Sequence, residues 1–387
     1  MKGFEFYNPT RIIFGKDVYK NIGEELRKYT TKVLMVYGKE SIKASGVYDC
    51  VKMSLQQVNI SMCELSGVQP NPRLSLVKKG IEIAQKERIG MILAVGGGSV
   101  IDTAKAIAAG MYYDGDVWEL FKGHRQIKKA VPVGVILTIP AAGSESSNGT
   151  VITKEEGMRK CGYGSNLLYP KFAMLDPQLC FTLPNDQISA GGADIMAHVM
   201  ERYFVPDSNH DFSDRMCEAA MVSVIHNLPK VLKNKEDYEA WSEIMWIGNV
   251  AHNSLLGKGK QEDWASHEIE HQLSAHYDIA HGAGLAIVFP AWMKYVWREH
   301  PNMMVQYAKR VWNVETEGKS TEEVVLEAIR RTEEFYHSVG LPTRLADIEI
   351  SDKDFNVMAQ KAVENGAIGS FKRLDFEDVV NIYKLAL

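Results

Sequence analysis

The strand-like apolar runs of this sequence are confined to its first half and stop at Thr182-Leu183-Pro184. Before that point they alternate with helical patterns, the order that predicts βαβ units and a largely parallel sheet. From Gln187 onward, apolar residues recur at intervals of three and four, which predicts helices alone. A chain of 387 residues also exceeds the length at which one hydrophobic core usually divides. The sequence therefore predicts an α/β domain over residues 1–184 and an all-helical domain over residues 185–387.

Glycine and proline divide the first half into short elements. An alternation of this kind is typical of a Rossmann-like domain that binds a nucleotide. A separate strand pattern near the N-terminus, residues 4–14, could pair with a second copy of the chain. Strands are predicted over residues 32–37, 60–65, 91–95, 133–139 and 172–175, and helices over residues 48–58, 74–86 and 99–110.

Composition limits the classes of partner. The net charge of −5 and the lack of a long basic block argue against binding to nucleic acid. The longest apolar stretches carry proline or glycine and are too short to cross a bilayer, so no membrane partner is expected. Five dispersed cysteines and a start without an apolar leader are typical of a protein that works in the reducing cytoplasm.

A glycine turn, Gly96-Gly97-Gly98-Ser99, joins the predicted strand over residues 91–95 to the helix that follows. Glycine lets backbone amides approach an anion closely, and the positive end of the helix dipole adds to the attraction for a phosphate. Ser99 is predicted to cap the helix, and Asp102 and Lys105 lie in its first two turns. A tight turn without a ligand would also use glycine, so both interpretations stay open.

The turn after the first predicted strand, Gly38-Lys39-Glu40-Ser41, bears on the choice of dinucleotide. Sites that prefer NAD place an acidic side chain at the ribose 2′-hydroxyl, where it repels the 2′-phosphate of NADP. A glycine followed by a lysine and by the hydroxyl of Ser41 leaves room for that phosphate, whereas Glu40 opposes it. We expect NADP(H) to be preferred over NAD(H).

Two distant runs supply residue types that bind metals. Asp194 and His198 are four residues apart, which places their Cβ atoms about 5–6 Å from each other on one helix face. His267 and His271 have the same spacing. Imidazoles combined with a carboxylate suit Fe²⁺, Zn²⁺ or Co²⁺ better than Mg²⁺ or Ca²⁺. Any one of these histidines alone would more often be a hydrogen-bonded core residue, but together they predict a metal centre.

His276 and His281 follow in the same histidine-rich stretch. His281 cannot reach the others along a straight helix, because the fourteen residues from His267 would rise about 21 Å. The chain must therefore turn between Tyr277 and His281 if His281 is to join the cluster.

An alternative interpretation comes from His267-Glu268-Ile269-Glu270-His271, which matches the zinc-peptidase pattern of two metal-binding histidines and a general-base glutamate. The pattern fixes only three positions and arises easily in a histidine-rich helix. It also leaves Asp194, His198 and the glycine turn without a role.

The chain resembles the iron-containing, or group III, alcohol dehydrogenases over essentially its full length. It is most similar to their branch of NADPH-dependent butanol dehydrogenases and broad-range aldehyde reductases. Many motifs in the right order carry the resemblance: Pro9-Thr10-Arg11-Ile12-Ile13-Phe14-Gly15, Pro70-Asn71-Pro72, the glycine turn with Asp102, Thr138-Ile139-Pro140-Ala141-Ala142-Gly143-Ser144-Glu145, Thr182-Leu183-Pro184, Asp194 with His198, and His267 with His271 and His281-Gly282.

The resemblance implies a dehydroquinate synthase-like architecture and a commonly dimeric enzyme, so a homodimer is expected. It implies Fe²⁺, or alternatively Zn²⁺, bound by Asp194, His198, His267 and His281. His271 would lie beside the metal without binding it and is a candidate proton relay. Further residues expected to bind or line the cofactor are Gly97, Gly98, Ser99, Asp102, Thr138, Ser144, Asn148, Lys160, Leu179 and Thr182.

Some positions depart from the family pattern or allow a second interpretation. Relatives on this branch often carry Gly-Gly-Gly-Ser where this chain has Gly38-Lys39-Glu40-Ser41, and many have Thr-Thr at Ala141-Ala142. Lys160 could reach a ribose or phosphate, or be a solvated loop lysine. Thr138 and Thr182 could be ordinary residues at the ends of strands.

The expected reaction is hydride transfer between a nicotinamide cofactor and a small alcohol or aldehyde whose oxygen is polarised by the metal. One rival is a lyase or polyol-phosphate dehydrogenase of the same architecture, which needs basic residues at the substrate site. The sequence shows no such concentration beside the metal motifs, and Trp264, Phe289 and Trp292 suggest an apolar pocket instead. The other rival is a metal-stabilised binding or scaffold protein without catalysis.

Overall fold

A computed structural model describes residues 1–123, 125–206 and 210–387. These residues form two compact units. One unit comprises Tyr7–Leu183, and the other comprises Met1–Phe6 together with Pro184–Leu387. The N-terminal residues belong to the second unit partly because the amide of Lys2 donates to the carbonyl of Gly259 over 2.9 Å.

The Tyr7–Leu183 unit is built on a six-stranded sheet in the order β1-β8-β5-β4-β2-β3 and a separate two-stranded hairpin, β6-β7. Every neighbouring pair in the larger sheet is parallel, whereas the hairpin is antiparallel. The strands are β1 (Arg11–Phe14), β2 (Lys32–Tyr37), β3 (Ser61–Leu65), β4 (Met91–Gly96), β5 (Val133–Leu137), β6 (Gly149–Lys154), β7 (Arg159–Gly164) and β8 (Phe172–Leu175).

Helices connect these strands, as the alternating pattern predicted. One face of the sheet packs against α1 and α3, where Leu26 and Val51 are fully buried with Met35 and Leu93 of the strands. The helices of this unit are α1 (Ile22–Leu26), α2 (Ser41–Ala44), α3 (Val47–Gln57), α4 (Leu74–Lys86), α5 (Gly98–Gly110) and α6 (Trp118–Phe121).

The α/β prediction is confirmed, with differences in detail. The predicted strand over residues 4–14 is shorter, since only Arg11–Phe14 pairs, and its partner is β8. The β6-β7 hairpin was not predicted, because its strands mix glycine, threonine and lysine rather than forming an apolar run. The expected cap was also wrong: α5 begins at Gly98 with Gly97 as its N-cap, so Ser99 lies inside the first turn.

The carboxyl ends of the parallel strands meet at one edge of the sheet. From β2 the chain continues to β3 on one side, and from β4 it continues to β5 on the other. The sheet therefore has a switch point between β2 and β4, where ligands bind in open α/β sheets. Gly38 directly follows β2, and Gly97 directly follows β4.

The second unit is helical, as predicted. Its helix α10 ends at Tyr277, Asp278 adopts a left-handed conformation with φ 54°, and α11 begins at His281, which confirms the expected turn. None of the described helices is both long and apolar enough to cross a bilayer. The helices are α7 (Asn185–Tyr203), α8 (Asp211–Lys233), α9 (Tyr238–His252), α10 (Ala265–Tyr277), α11 (His281–Val296), α12 (Pro301–Arg310), α13 (Thr321–Ser338), α14 (Phe355–Ala362) and α15 (Phe376–Leu385).

The first turn of α11 lies directly against the backbone of α7. A Cβ atom added at Gly282 would stand 1.8 Å from the carbonyl oxygen of Ala190. Glycine is therefore required for this approach, which brings the residue before it, His281, to the face of α7 that carries Asp194.

We expect Gly282→Ala to lower the free energy of unfolding by about 3 kcal/mol or more, the upper end of the cost of overpacking. The obstacle is backbone rather than a flexible side chain, so the helices must separate to relieve the clash. Urea unfolding of the metal-free protein measures this. The control is Gly162→Ala, whose new Cβ would meet Val151 Cγ2 at 3.8 Å. Equal losses in the two variants would contradict the packing argument.

Candidate metal centre and dinucleotide site

Asp194, His198, His267 and His281 form one cluster in the helical unit. His198 Nε2 lies 3.3 Å from Asp194 Oδ1, and His281 Nε2 lies 3.9 Å from the same oxygen. The imidazole rings of His198 and His267 have centroids 4.6 Å apart. Ligand atoms of Asp194, His267 and His281 all lie within 4.8 Å of one another. This spacing lets one ion bridge them, and Asp194, His198 and His267 are buried.

Two buried carboxylates orient the histidines of the cluster. His267 Nδ1 lies 2.7 Å from Glu201 Oε1, and His281 Nδ1 is hydrogen-bonded to Glu270 Oε2. Glu201 is itself fixed, because it accepts the amides of Trp264 and His267 over 2.7 and 3.1 Å. A histidine that donates Nδ1–H to a carboxylate presents Nε2 as the atom that binds a metal.

Burial sets the protonation of this cluster. It lowers the pKa of His198 well below the usual value, and the neighbouring His252 and His267 lower it further. The imidazole of His198 is therefore neutral at pH 7, the form that ligates a metal. In the metal-free protein burial raises the pKa of Glu201 to about 8, whereas the hydrogen bonds from the amides of His267 and Trp264 favour its ionised form. The positive charge of an ion at His267 would favour the carboxylate further. Three imidazoles and one carboxylate at these distances fit a divalent ion such as Fe²⁺ or Zn²⁺.

His271 lies at the border of the cluster, with its ring centroid 5.4 Å from that of His281 and 6.4 Å from that of His267. Glu270, His271 and His281 form a second group whose ligand atoms lie within 4.8 Å of one another. The side chain of His276 pairs instead with Asp354, with Nε2 3.3 Å from Asp354 Oδ2.

The peptidase alternative fails on the position of its glutamate. The pattern requires Glu268 as general base at the metal, but Glu268 is exposed on α10. Glu270, two residues on, is the buried carboxylate of this helix and is bonded to His281.

The glycine turn at the end of β4 is closely packed. A Cβ at Gly97 would stand 3.0 Å from Ile139 Cβ, and one at Gly96 would stand 2.5 Å from Val100 Cγ2. The amide of Thr138 donates to the carbonyl of Gly96 over 3.1 Å, so the ends of β4 and β5 lie together. Side chains therefore do not fit at Gly96 and Gly97, so the turn is backbone without side chains at the amino end of α5, beside Thr138.

Asp102 and Ser144 are hydrogen-bonded to each other within the Tyr7–Leu183 unit. Ser144 Oγ donates to Asp102 Oδ1 over 2.6 Å, and the amide of Val151 donates to Asp102 Oδ2 over 2.8 Å. Burial raises the pKa of Asp102, while Lys105 and these hydrogen bonds lower it. The carboxylate of Asp102 thus ties the chain after β5 to α5.

The other residues expected at the cofactor site differ in their burial and in their contacts. Lys160 is not a solvated loop lysine, because it lies on β7, is buried, and donates to Asn71 Oδ1 over 3.1 Å. Asn148 donates to Asn166 Oδ1 over 3.1 Å. Leu179 packs against the core beside the sheet. Lys39, Ser41 and Thr182 are exposed, and Gly38 is half-buried at the end of β2.

Both halves of the chain match models of one family. Residues 9–177 match the iron-containing alcohol dehydrogenase model, and residues 188–387 match the C-terminal model of the Fe-containing alcohol dehydrogenase family. The chain belongs to the iron-containing alcohol dehydrogenase family. It is therefore an oxidoreductase, an alcohol dehydrogenase or aldehyde reductase, and the family implies a metal and an NAD(P) cofactor.

Relatives with full-length similarity support this assignment. The chain is 47% identical over 387 residues to the probable NADH-dependent butanol dehydrogenase 1 of Bacillus subtilis, covering 100% of both chains. It is 35% identical to the NADPH-dependent aldehyde reductase YqhD of Escherichia coli, covering 95% of this chain and 94% of the relative. The crystal structure of NADH-dependent butanol dehydrogenase A from Thermotoga maritima superposes with a TM-score of 0.96 at 41% identity, covering 100% and 99% of the two chains.

Several residues around the metal cluster of this alcohol dehydrogenase were not identified from the sequence. Glu201 follows His198 by three positions, so a search for carboxylates on the same helix face would have found it. Arg202 is a single basic residue beside the metal motif and not a concentration of positive charge. Its guanidinium donates to the carbonyl of His198 over 2.6 Å and stacks on Trp264. His252 lies with its ring centroid 4.3 Å from that of His198.

The expected apolar pocket is only partly correct. Trp264 lines the cluster, with ring centroids 5.0 Å from His267 and 5.7 Å from His198. Phe289 and Trp292 are fully buried and pack against Phe204, so they belong to the core. The sequence alone does not show whether an aromatic side chain lies in the core or lines a pocket, because both kinds of position are occupied by apolar residues.

We expect Glu201→Gln to weaken metal binding about 10–100-fold, the usual effect of losing a carboxylate behind a ligating histidine. The amide can accept from His267 but does not carry the negative charge that makes the imidazole a stronger ligand. Metal retention against a chelator series measures this. Glu268→Gln, an exposed change on α10, is the control and should retain the wild-type affinity. Equal retention by the two variants would show that Glu201 does not act on the metal.

Proposed function

We propose that this enzyme interconverts small primary alcohols and aldehydes, such as butanol and butanal, at a metal held by Asp194, His198, His267 and His281. The observation that carries the proposal is the convergence of three imidazoles and one carboxylate within a few ångströms on buried helix faces. The names of the relatives, butanol dehydrogenases and an aldehyde reductase, support the substrate class.

When bound, the metal polarises the oxygen of the substrate and the dinucleotide gives or takes the hydride. Asp194 contributes the negative charge of the site, while the histidines contribute neutral nitrogen ligands. Glu201 and Glu270 hold the Nδ1 atoms of His267 and His281 and so keep their rings in place. Trp264 packs against the imidazole rings of His198 and His267.

His271 is the proposed proton relay. Its ring lies beside that of His281, and it is half-buried rather than enclosed. An imidazole can both accept and donate a proton, so His271 can take a proton from the substrate hydroxyl or return one to it. This role requires His271 to remain outside the metal ligand set.

The dinucleotide is proposed to lie at the switch point of the sheet, with its pyrophosphate on Gly97, Gly98 and Ser99. Support comes from the glycine backbone at the amino end of α5, which offers amides and a favourable dipole. The proposed lining residues are Gly38, Lys39, Ser41, Asp102, Thr138, Ser144, Asn148, Lys160, Leu179 and Thr182.

Two further assignments remain proposals. The domain boundary is placed at residues 184–185, at the start of α7. The enzyme is proposed to be a homodimer in which the N-terminal segment contacts the second copy, because Phe4, Phe6 and Tyr7 are exposed apolar residues.

We expect Asp194→Ala, and independently His267→Ala, to lose metal and turnover together, each by at least about 100-fold, because removing a ligand both weakens binding and misplaces the ion. Metal content by mass spectrometry and aldehyde reduction followed at 340 nm measure the two losses. Asp186→Ala, an exposed carboxylate in the first turn of α7, is the matched control. Full activity of a metal-stripped Asp194→Ala enzyme would refute the proposed site.

The preference for NADP(H) over NAD(H) remains a prediction, and Glu40 is the residue that opposes it. Glu40 is exposed, and its carboxylate lies 3.2 Å from Lys43 Nζ. We expect Glu40→Gln to raise the ratio of kcat/KM for NADPH to kcat/KM for NADH about 3- to 10-fold, because one repulsive charge near the 2′-phosphate is removed. Glu87→Gln, a distant carboxylate paired with Lys32, is the control. An unchanged ratio would place the ribose away from this turn.

A further inference from the structure

We propose that Lys105 is a positioning residue that fixes residues 144–151 against α5 and thereby sets the affinity of the enzyme for its dinucleotide. The inference rests on the proposed placement of the pyrophosphate at Gly97–Ser99. Lys105 does not itself contact the cofactor, because none of its surface is exposed.

The ammonium group of Lys105 is matched to three backbone carbonyls. Nζ donates to the carbonyl oxygens of Ser144, Ser147 and Gly149 over 2.6, 2.8 and 2.9 Å. An ammonium has three N–H donors, and here each finds one carbonyl. The hydroxyls of Ser144 and Ser147 lie at 3.0 and 3.3 Å and complete the shell of oxygens. One side chain thus binds three carbonyls of the segment that leads into β6.

Asp102 adds a second attachment from the same face of α5, since it precedes Lys105 by three residues. Its carboxylate holds the hydroxyl of Ser144 and the amide of Val151, and its carbonyl accepts the hydroxyl of Thr150 over 2.8 Å. The segment is therefore held at its start, middle and end by the side chains of Asp102 and Lys105 and by the backbone carbonyl of Asp102, all on one helix.

Burying the ammonium group of Lys105 costs free energy, so its presence here requires an explanation. A buried ammonium loses its hydration, and this burial lowers the pKa of Lys105 to about 8, against the opposing effect of the Asp102 and Glu145 carboxylates. A methionine would fill the same space without that cost. The backbone of the segment, however, would lose the donors for its inward-facing carbonyls, and buried carbonyls require partners.

The helix that carries both attachments also carries the glycine turn at its amino end. Ser144 and Asn148, two proposed cofactor residues, lie in the held segment. α5 therefore sets the distance between the pyrophosphate turn and the loop that lines the rest of the dinucleotide. Loss of the ammonium would leave both parts present but free to shift, and such shifts lower affinity without removing a contact residue.

The test compares metal-loaded Lys105→Met with wild type. Titration with NADH and with NADPH, followed by cofactor fluorescence, should give a dissociation constant raised about 10-fold or more, the effect of losing a charged buried hydrogen-bond donor. The KM for the dinucleotide should rise in parallel, while kcat at saturating dinucleotide, the KM for butanal and the metal content stay within about twofold. Amide exchange in residues 144–151 should accelerate. Lys86→Met, an exposed lysine of α4, should match wild type.

A merely structural lysine would lower the melting temperature and leave the dinucleotide dissociation constant of the folded enzyme unchanged, and that result would overturn the inference. If Lys105→Met does not fold, Lys105→Gln decides, because its amide keeps two N–H donors for the carbonyls that Lys105 binds and loses the third. A two- to fivefold weaker dinucleotide affinity, on the order of one neutral hydrogen bond, supports the inference. An unchanged affinity contradicts it.

Gly98→Ala separates this inference from the proposed site. Its new Cβ would stand 3.4 Å from Ala142 Cβ, a tolerable contact, but would obstruct an anion at the turn. If Gly98→Ala binds the dinucleotide normally, the proposed site is wrong. If Gly98→Ala weakens binding and Lys105→Met does not, only the positioning role of Lys105 is wrong.

Discussion

The close approach of α11 to α7 is the contact on which the metal cluster depends. Gly282 lies against the carbonyl of Ala190 with no room for a side chain, and this brings the preceding residue, His281, within 3.9 Å of Asp194. The other members of the cluster come from α7 and α10. Three helices thus meet at one point, and the turn at Asp278 lets His281, the first residue of α11, reach the ligands on α7 and α10.

Buried charged residues in both units hold a side chain or a loop in place at a proposed site. In the helical unit, Glu201 is fixed by the amides of Trp264 and His267 and in turn fixes the imidazole of His267. In the α/β unit, Asp102 and Lys105 hold the bend between β5 and β6. Isolated charges of this kind are expensive to bury, and each is here surrounded by hydrogen-bonding partners.

Much of this arrangement could be predicted from sequence, where a local rule applied. The spacing of Asp194 and His198 fixes their shared helix face, and the apolar run over residues 33–37 of β2 identifies a buried parallel strand. Prediction from sequence failed where the role of a residue depends on contacts with residues far away in the chain. The hairpin β6-β7 carries no apolar run, and Phe289 is a core residue because Phe204, which is distant in sequence, and Trp292 pack against it. Glu270 resembles any helical glutamate until His281 is placed beside it.

The most direct test of the central claim is anomalous diffraction at the iron edge from crystals grown anaerobically with Fe²⁺. The cluster predicts a single peak about 2.0–2.2 Å from Asp194 and the Nε2 atoms of His198, His267 and His281, with His271 outside the coordination shell. A peak bound instead by Glu270, His271 and His281, or none at all in protein that reduces butanal, would contradict the assignment.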